Sequence, residues 1–303
     1  MSGKPLAVAI VGAGGLAAAL ARALGRSGGA RVTVASRRPA KAAALARGAR
    51  GVSSTPTIED AIAGAAIVVL AVPDRAIAQL ASALAPMRAS WRGVVALHAA
   101  GAYGPDLLAA LGRRAASTGV LHPLAVLGAG RGAKLSGHFA RIEGGKAARA
   151  AARRLCALAG LVPLRGSGLQ SPQGRRSYHA AASLVSNDLI ALLAAARDLL
   201  VRRGVAERVA LRALVELASG ALLQVKRAGL RSALTGPVAR NDGATLAAQL
   251  HALLSEDPAA AAAHRALSLR LIDLAVASGR ADRAGAQALR RLLARGPGRK
   301  RRV

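Results

Sequence analysis

A short apolar run, Leu6 to Val11, leads directly into Gly12-Ala13-Gly14-Gly15-Leu16-Ala17. The spacing is G-x-G-x-x-A between an expected strand and an expected helix, and it suits a phosphate cradle. Gly12 permits the tight turn, Gly14 lets backbone approach a pyrophosphate, and the small Ala17 lets helix and strand pack closely. The free amides at the helix start would then face the anion, with the helix dipole favouring negative charge. Gly12, Gly14, Gly15, Leu16 and Ala17 are therefore candidate cofactor contacts. A dinucleotide with free ribose hydroxyls calls for Asp or Glu about 20 residues further on. None is present: the first acidic residue is Glu59, and the second expected strand ends in Ser36-Arg37-Arg38. A hydroxyl and two guanidinium groups suit a ribose 2′-phosphate, so the cofactor expected is NADP(H). Val72-Pro73-Asp74 follows a later strand, where a nicotinamide ring would pass, although Asp74 would serve equally as a helix cap.

Hydride transfer to a carbonyl or imine leaves a centre that needs a proton. Tyr178, His179, Ser183 and Asn187 are the candidates in the second half of the chain. His179, Ser183 and Asn187 stand four apart, so on a helix they form one polar stripe in an apolar segment. Such a stripe faces water, a partner or a ligand, or ties helices together by hydrogen bonds, since burying it unpaired is costly. The sharper reading makes His179 the general acid, with Ser183 or Asn187 orienting substrate and His122 facing them from the end of the strand Gly119 to Leu121. His98 ends the preceding strand in a similar way; each of these two histidines has an ordinary alternative as a strand-end cap. No His, Cys, Asp and Glu cluster has metal-ligand spacing, and no G-x-S-x-G elbow appears. Cys156 is the only cysteine, which excludes an internal disulfide and fits a small core residue in a reducing compartment.

The elements that must position these groups follow from periodicity. Valine-rich strands are expected at Leu6 to Val11, Arg31 to Ala35, Ala66 to Val72, Gly93 to His98, Gly119 to Leu121, Phe139 to Glu143 and Leu161 to Arg165. They alternate with helical stretches, the pattern of a parallel sheet with crossover helices. From about Ser171 the strand signal stops and Ala/Leu-rich helical spacing continues to about Ser278. The first of these helices, roughly Arg175 to Arg203, is apolar on several faces and suits a buried central helix or a dimer contact. The expected fold is α/β: a doubly wound, mostly parallel Rossmann sheet over residues 1–167, then an all-α domain over 168–278 that binds substrate and dimerises. Residues 279–303, ending in Arg299-Lys300-Arg301-Arg302, read as a basic disordered tail.

With 303 residues the chain is long enough for two cores, and at 53% hydrophobic but 1% aromatic those cores must be closely packed Ala, Leu and Val. The net charge of +30 would suit a nucleic acid or an anionic surface. The arginines, however, are spread over nearly every segment and lack interleaved stacking aromatics, so nucleic acid is not the partner expected. Lys4 with the apolar run Leu6 to Leu20 imitates a signal peptide, but Gly12, Gly14 and Gly15 would break that helix; a cytoplasmic protein with no membrane span is expected.

Several segments resemble one family, the Rossmann-like proteins carrying a C-terminal domain of unknown function 2520. They are Val72-Pro73-Asp74-Arg75-Ala76-Ile77, His98-Ala99-Ala100-Gly101-Ala102, Leu121-His122-Pro123-Leu124, Tyr178-His179-Ala180-Ala181-Ala182 with Asn187, and Leu234-Thr235-Gly236-Pro237-Val238-Ala239-Arg240-Asn241-Asp242. The resemblance implies kinship with ketopantoate reductase, pyrroline-5-carboxylate reductase and deazaflavin-dependent NADP oxidoreductases, and with it a helical, often dimerising domain and a small-molecule substrate. It implies an NADP(H)-dependent reductase working in an interdomain cleft, or else a non-catalytic NADP(H)-binding sensor. Three positions depart from the family: lysine is common where Arg175 stands, serine where Ala100 stands, tyrosine where His264 stands. The first bears on activity, since lysine can donate a proton and arginine effectively cannot.

Overall fold

The structure is a computed structural model and describes residues 4–128 and 134–295. Its strands are β1 Leu6–Val11, β2 Ala30–Ala35, β3 Val52–Ser54, β4 Ile67–Leu70, β5 Val95–His98, β6 Ser117–Pro123, β7 Phe139–Gly144 and β8 Val162–Leu164. Between them lie α1 Gly15–Ser27, α2 Pro39–Arg47, α3 Ile58–Ala63, α4 Asp74–Leu84, α5 Ala109–Gly112 and α6 Lys146–Ala159. After them come α7 Pro172–Val201, α8 Glu207–Ala233, α9 Gly236–Ala239, α10 Gly243–Glu256, α11 Pro258–Ala277 and α12 Arg283–Arg295. The strands form one sheet in the order β3-β2-β1-β4-β5-β6-β7-β8. Every pairing is parallel except β6 with β7. The fold class read from the sequence holds, with eight strands where seven were expected. The addition is β3, whose Val-Ser-Ser carries almost no apolar signal and is a strand because it pairs with β2.

The chain divides into two compact units, Met1–Leu184 and Val185–Val303. In the first, alternation along β1 sends Val8 and Ile10 to one face of the sheet and Ala9 and Val11 to the other. Val8 and Ile10 join Leu20, Leu24 and Leu155 of α1 and α6 in one core. Ala9 and Val11 join Ile62, Ile77, Leu84 and Trp91 in the second. Cys156 is fully buried and burial pushes its thiol up to about 11, so it behaves as a small core residue. The domain edge expected at 167/168 is corrected to Leu184/Val185, because the first half of α7 packs with the sheet unit through hydrogen bonds from Arg175 and Tyr178.

In the second unit α10 and α11 start at aspartates that act as caps: Asp242 accepts from the Thr245 N–H at 3.0 Å and Asp257 from Ala260 N–H at 2.9 Å. The core holds Leu234, Leu246, Leu250, Ile272, Leu289 and Leu293. The last two belong to α12, so the reading of 279–303 as a disordered tail is corrected: Arg283–Arg295 is a helix that buries one apolar face. Its arginines masked that face in the sequence. Residues 296–303, with the terminal basic run, lie outside the described residues. Among the described residues no helix is long and apolar enough to cross a membrane. Leu289→Ala should lower the stability of the second unit by about 2–5 kcal/mol, read by urea denaturation, because Leu289 is 2% exposed. A change within about 0.5 kcal/mol would show that α12 does not pack there.

Candidate functional site

The turn after β1 is built as the sequence requires. Gly12 has φ +136°, and a Cβ there would lie 2.2 Å from the Ala71 carbonyl oxygen, so only glycine fits between β1 and the end of β4. Its N–H donates to the Ala35 carbonyl at 2.8 Å, which fixes the turn against β2. A Cβ on Gly14 would meet nothing within 4 Å, so the backbone at the start of α1 is open to a ligand. Gly15 is small for a different reason, since a Cβ there would lie 2.4 Å from the Leu127 carbonyl oxygen of the segment after β6. Leu16 is half-buried and Ala17 is fully buried against the sheet. At the end of β2 the Ser36 hydroxyl donates to the Arg38 carbonyl at 2.8 Å and accepts from its N–H at 3.2 Å. This closed turn presents the exposed side chains of Arg37 and Arg38 beside the glycine loop. Pro73 precedes α4 and Asp74 is its first residue, exposed and without a capping bond of its own, while Val72 is half-buried.

Farther along the same carboxyl edge, β5 ends in His98 and β6 carries His122 one residue before its end. His98 is fully buried and both ring nitrogens are used: Nδ1 accepts from the Ala100 N–H at 3.1 Å, so Nε2 donates to the Gly104 carbonyl at 2.8 Å. It ties down the loop after β5, and burial holds its pKa below the ordinary value. The Tyr178 hydroxyl has two acceptors within reach of its one proton, the His122 Nδ1 at 2.8 Å and the His122 carbonyl oxygen at 3.3 Å. The rings meet edge to face with centroids 5.5 Å apart. The exposed ring of His179 lies with its centroid 6.5 Å from that of His122. Gly101 lies against both histidines: a Cβ on it would fall 2.8 Å from His179 Cδ2 and 2.9 Å from His122 Nε2. The structure thus brings His122, Tyr178 and His179 together. Ser183 and Asn187 continue the stripe on α7, Asn187 in the second unit.

Beneath this group lies an ion cluster that sequence reading missed. Glu143 on β7 is paired with Arg141 of the same strand, and Arg175 of α7 grips it with Nη2 at 2.6 Å and Nε at 3.1 Å. Arg141 is 1% exposed, donates to the Tyr103 carbonyl at 2.7 Å and lies 5.6 Å over the Tyr178 ring. The signal was available in the sequence. Arg141 and Glu143, two apart in an expected strand, must share a face, and on a face covered by the rest of the chain they need partners. A cavity of about 840 Å³ off β8, lined by Arg149, Arg153, Arg165 and apolar side chains, meets this cluster at Arg141, and none of the candidate residues lines it. Among the described residues no group of His, Cys, Asp and Glu is placed to hold a metal.

The electrostatics follow from burial. Desolvation, with help from Arg141, His179 and His98, lowers His122 from 6.5 to about 4, so the ring is neutral at pH 7. Desolvation pushes Tyr178 up to about 12 against the opposing charge of Arg141, so the phenol keeps its proton. Because the unfolded chain protonates His122 at 6.5 and the folded chain only near 4, folding stability should fall as pH drops through that interval. The shift corresponds to up to roughly 3 kcal/mol. His122→Asn should flatten the dependence between pH 6.5 and 4, leaving the part due to His98 and His264, when denaturation midpoints are compared. An unchanged slope would show that His122 titrates normally.

Comparison with known sequences and structures bears on the family segments and the fold. Residues 7–99 match the family described as NADP oxidoreductase coenzyme F420-dependent, and residues 138–271 match the domain of unknown function DUF2520. A search of curated proteins gave no match. Among solved structures, protein BF3122 from Bacteroides fragilis is 22% identical with a TM-score of 0.69, over 88% of this chain and 98% of that one. A pyrroline-5-carboxylate reductase from Coxiella burnetii is 15% identical with a TM-score of 0.59, over 89% and 99% of the two chains. A reductive aminase from Aspergillus terreus, in complex with NADPH and ethyl-5-oxohexanoate, is 16% identical with a TM-score of 0.57, over 96% and 93%. At these identities the likeness is one of fold.

Proposed function

We propose that this chain, which joins an NADP oxidoreductase segment of the coenzyme F420-dependent family to a DUF2520 domain, binds NADP(H) and reduces a small carbonyl or imine compound. The observation that carries the reading is the His122–Tyr178 pair at the same sheet edge as the glycine turn. In the strand order β1-β4-β5-β6, three spacings of ~4.8 Å separate the two, about 14 Å along the edge. The turn at Gly12 and the start of α1 would take the pyrophosphate, Arg37 and Arg38 the 2′-phosphate, and Val72-Pro73-Asp74 would flank the nicotinamide end. Bound NADPH supplies the hydride.

The chain's own residues supply the proton. With the Tyr178 hydroxyl donating to the nearer acceptor, Nδ1 at 2.8 Å, in place of the His122 carbonyl at 3.3 Å, neutral His122 carries its proton on Nε2, on the side of Gly101. As negative charge develops on a substrate oxygen, the Nε2 proton passes to it and the phenol proton moves to Nδ1. The phenolate left behind is stabilised by the Arg141 charge over the ring. The exposed His179 is the route by which solvent restores the proton. Arg175 cannot act as acid, being an arginine already bound to Glu143.

The test is NADPH consumption with a panel of keto acids and cyclic imines beside cofactor titration. NADPH should protect against heat more than NADH, with about 2.7 kcal/mol of stabilisation at ~100 times its Kd, and changing Arg37 and Arg38 to Ala should remove the difference. Tyr178→Phe should cut turnover by ~10² or more with NADPH affinity retained. Tight NADPH binding without turnover on any panel member would instead favour a sensor role. Equal shifts for both cofactors would mean the arginines do not read the phosphate.

For the assembly we propose a homodimer formed through the helical unit. Helix α8 buries only Ala210, whereas Leu217, Leu222 and Leu230 are 73%, 59% and 61% exposed. Light scattering at micromolar concentration should give twice the chain mass, and a monomer mass would end the idea.

A further inference from the structure

We infer that Glu143, clamped between Arg141 and Arg175, is a positioning residue that holds Tyr178 in line with His122 and so fixes which nitrogen of His122 carries the proton. The inference rests on the proposed reductase chemistry only for its purpose; its physical content is separate.

The carboxylate of Glu143 is 5% exposed and receives donors from two guanidinium groups. A single acid facing two buried or half-buried cations leaves excess positive charge, an arrangement that apolar packing would replace at lower cost if stability alone were at stake. Each arginine reaches a part of the proton relay. Arg175 lies in the first turn of α7, one turn before Tyr178 and His179, so its two-pronged grip on β7 sets the position of the helix that carries both rings. Arg141 pairs across the antiparallel register with His122, and so shares its face of the sheet. It also ties the loop after β5 at Tyr103 and covers the Tyr178 ring. Its Nε is buried with no protein partner, a lost hydrogen bond that the ring and loop contacts accompany. The arginine at 175 is the residue this geometry needs. A lysine is a point donor and cannot hold both carboxylate oxygens in one plane.

The test is made on the full chain at neutral pH, reading the His122 imidazole by proton–nitrogen correlation NMR and assigning it with His122→Asn. The unaltered protein should show one tautomer, with the proton on Nε2. Arg175→Lys keeps the charge and removes the fork, and Glu143→Gln removes the charge. Both should convert the single pattern to a mixture of tautomers while the amide spectrum of the sheet stays in place. Glu143→Asp, which keeps the carboxylate, should restore the single form at least in part. A single Nε2 tautomer in Arg175→Lys, or in a folded Glu143→Gln, would overturn the inference, as would a tautomer mixture in the unaltered protein. Where Glu143→Gln fails to fold, Arg175→Lys decides alone. Absence of turnover in every protein would refute the reductase reading without touching the tautomer result.

Discussion

One buried carboxylate ties the two ends of the site unit together. Glu143 stands on the only antiparallel pairing of the described sheet, and its partner Arg175 opens the long helix α7. The chain has 14 acidic residues against 44 lysines and arginines, so a carboxylate spent in the interior is scarce. Ion pairs of exposed arginines contribute little to stability. Glu143 is different in kind, because removing one member of such a cluster leaves an unpaired buried charge, at a cost of about 3–5 kcal/mol. The position of Tyr178, and through it the environment of His122, follows from that tie.

The glycine turn and the histidine pair divide the work of one sheet edge. At β1 the constraint is steric, a backbone contact with Ala71 so close that no side chain fits at Gly12. At β6 the constraint is dielectric. His122 and Tyr178 are withdrawn from water enough that both remain uncharged at neutral pH, one lowered to about 4 and the other raised to about 12. A hydrogen-bonded pair of neutral groups can pass protons in concert without either forming a costly isolated charge in advance. Leu127 connects the two regions, since its carbonyl packs against Gly15 five residues after His122.

Much of this was legible in the chain. The turn at Gly12, the arginines after β2, the helical second half and the placement of His122 at a strand end all stem from local rules of spacing and backbone freedom. Other features were hidden for identifiable reasons. The strand Val52–Ser54 depends on its neighbour for its hydrogen bonds, and α12 carries so many arginines that its buried leucines did not read as a packed face. Cys156 and His98 were correctly open to bland roles, and burial with satisfied bonds assigns them those roles.

What the sequence determined by itself is whatever is set within a few residues: the periodicity of strand and helix, the steric demand of a glycine, the absence of an acid where a ribose would require one. Tertiary structure decided which polar side chains meet. Tyr178 reaches His122 across 56 positions and Arg175 reaches Glu143 across 32. The pKa shifts arise only when such groups are desolvated together, because a free chain gives each of them water. No local pattern carries that information, since the energy of a buried charge or proton belongs to its surroundings in space and not to its neighbours in sequence.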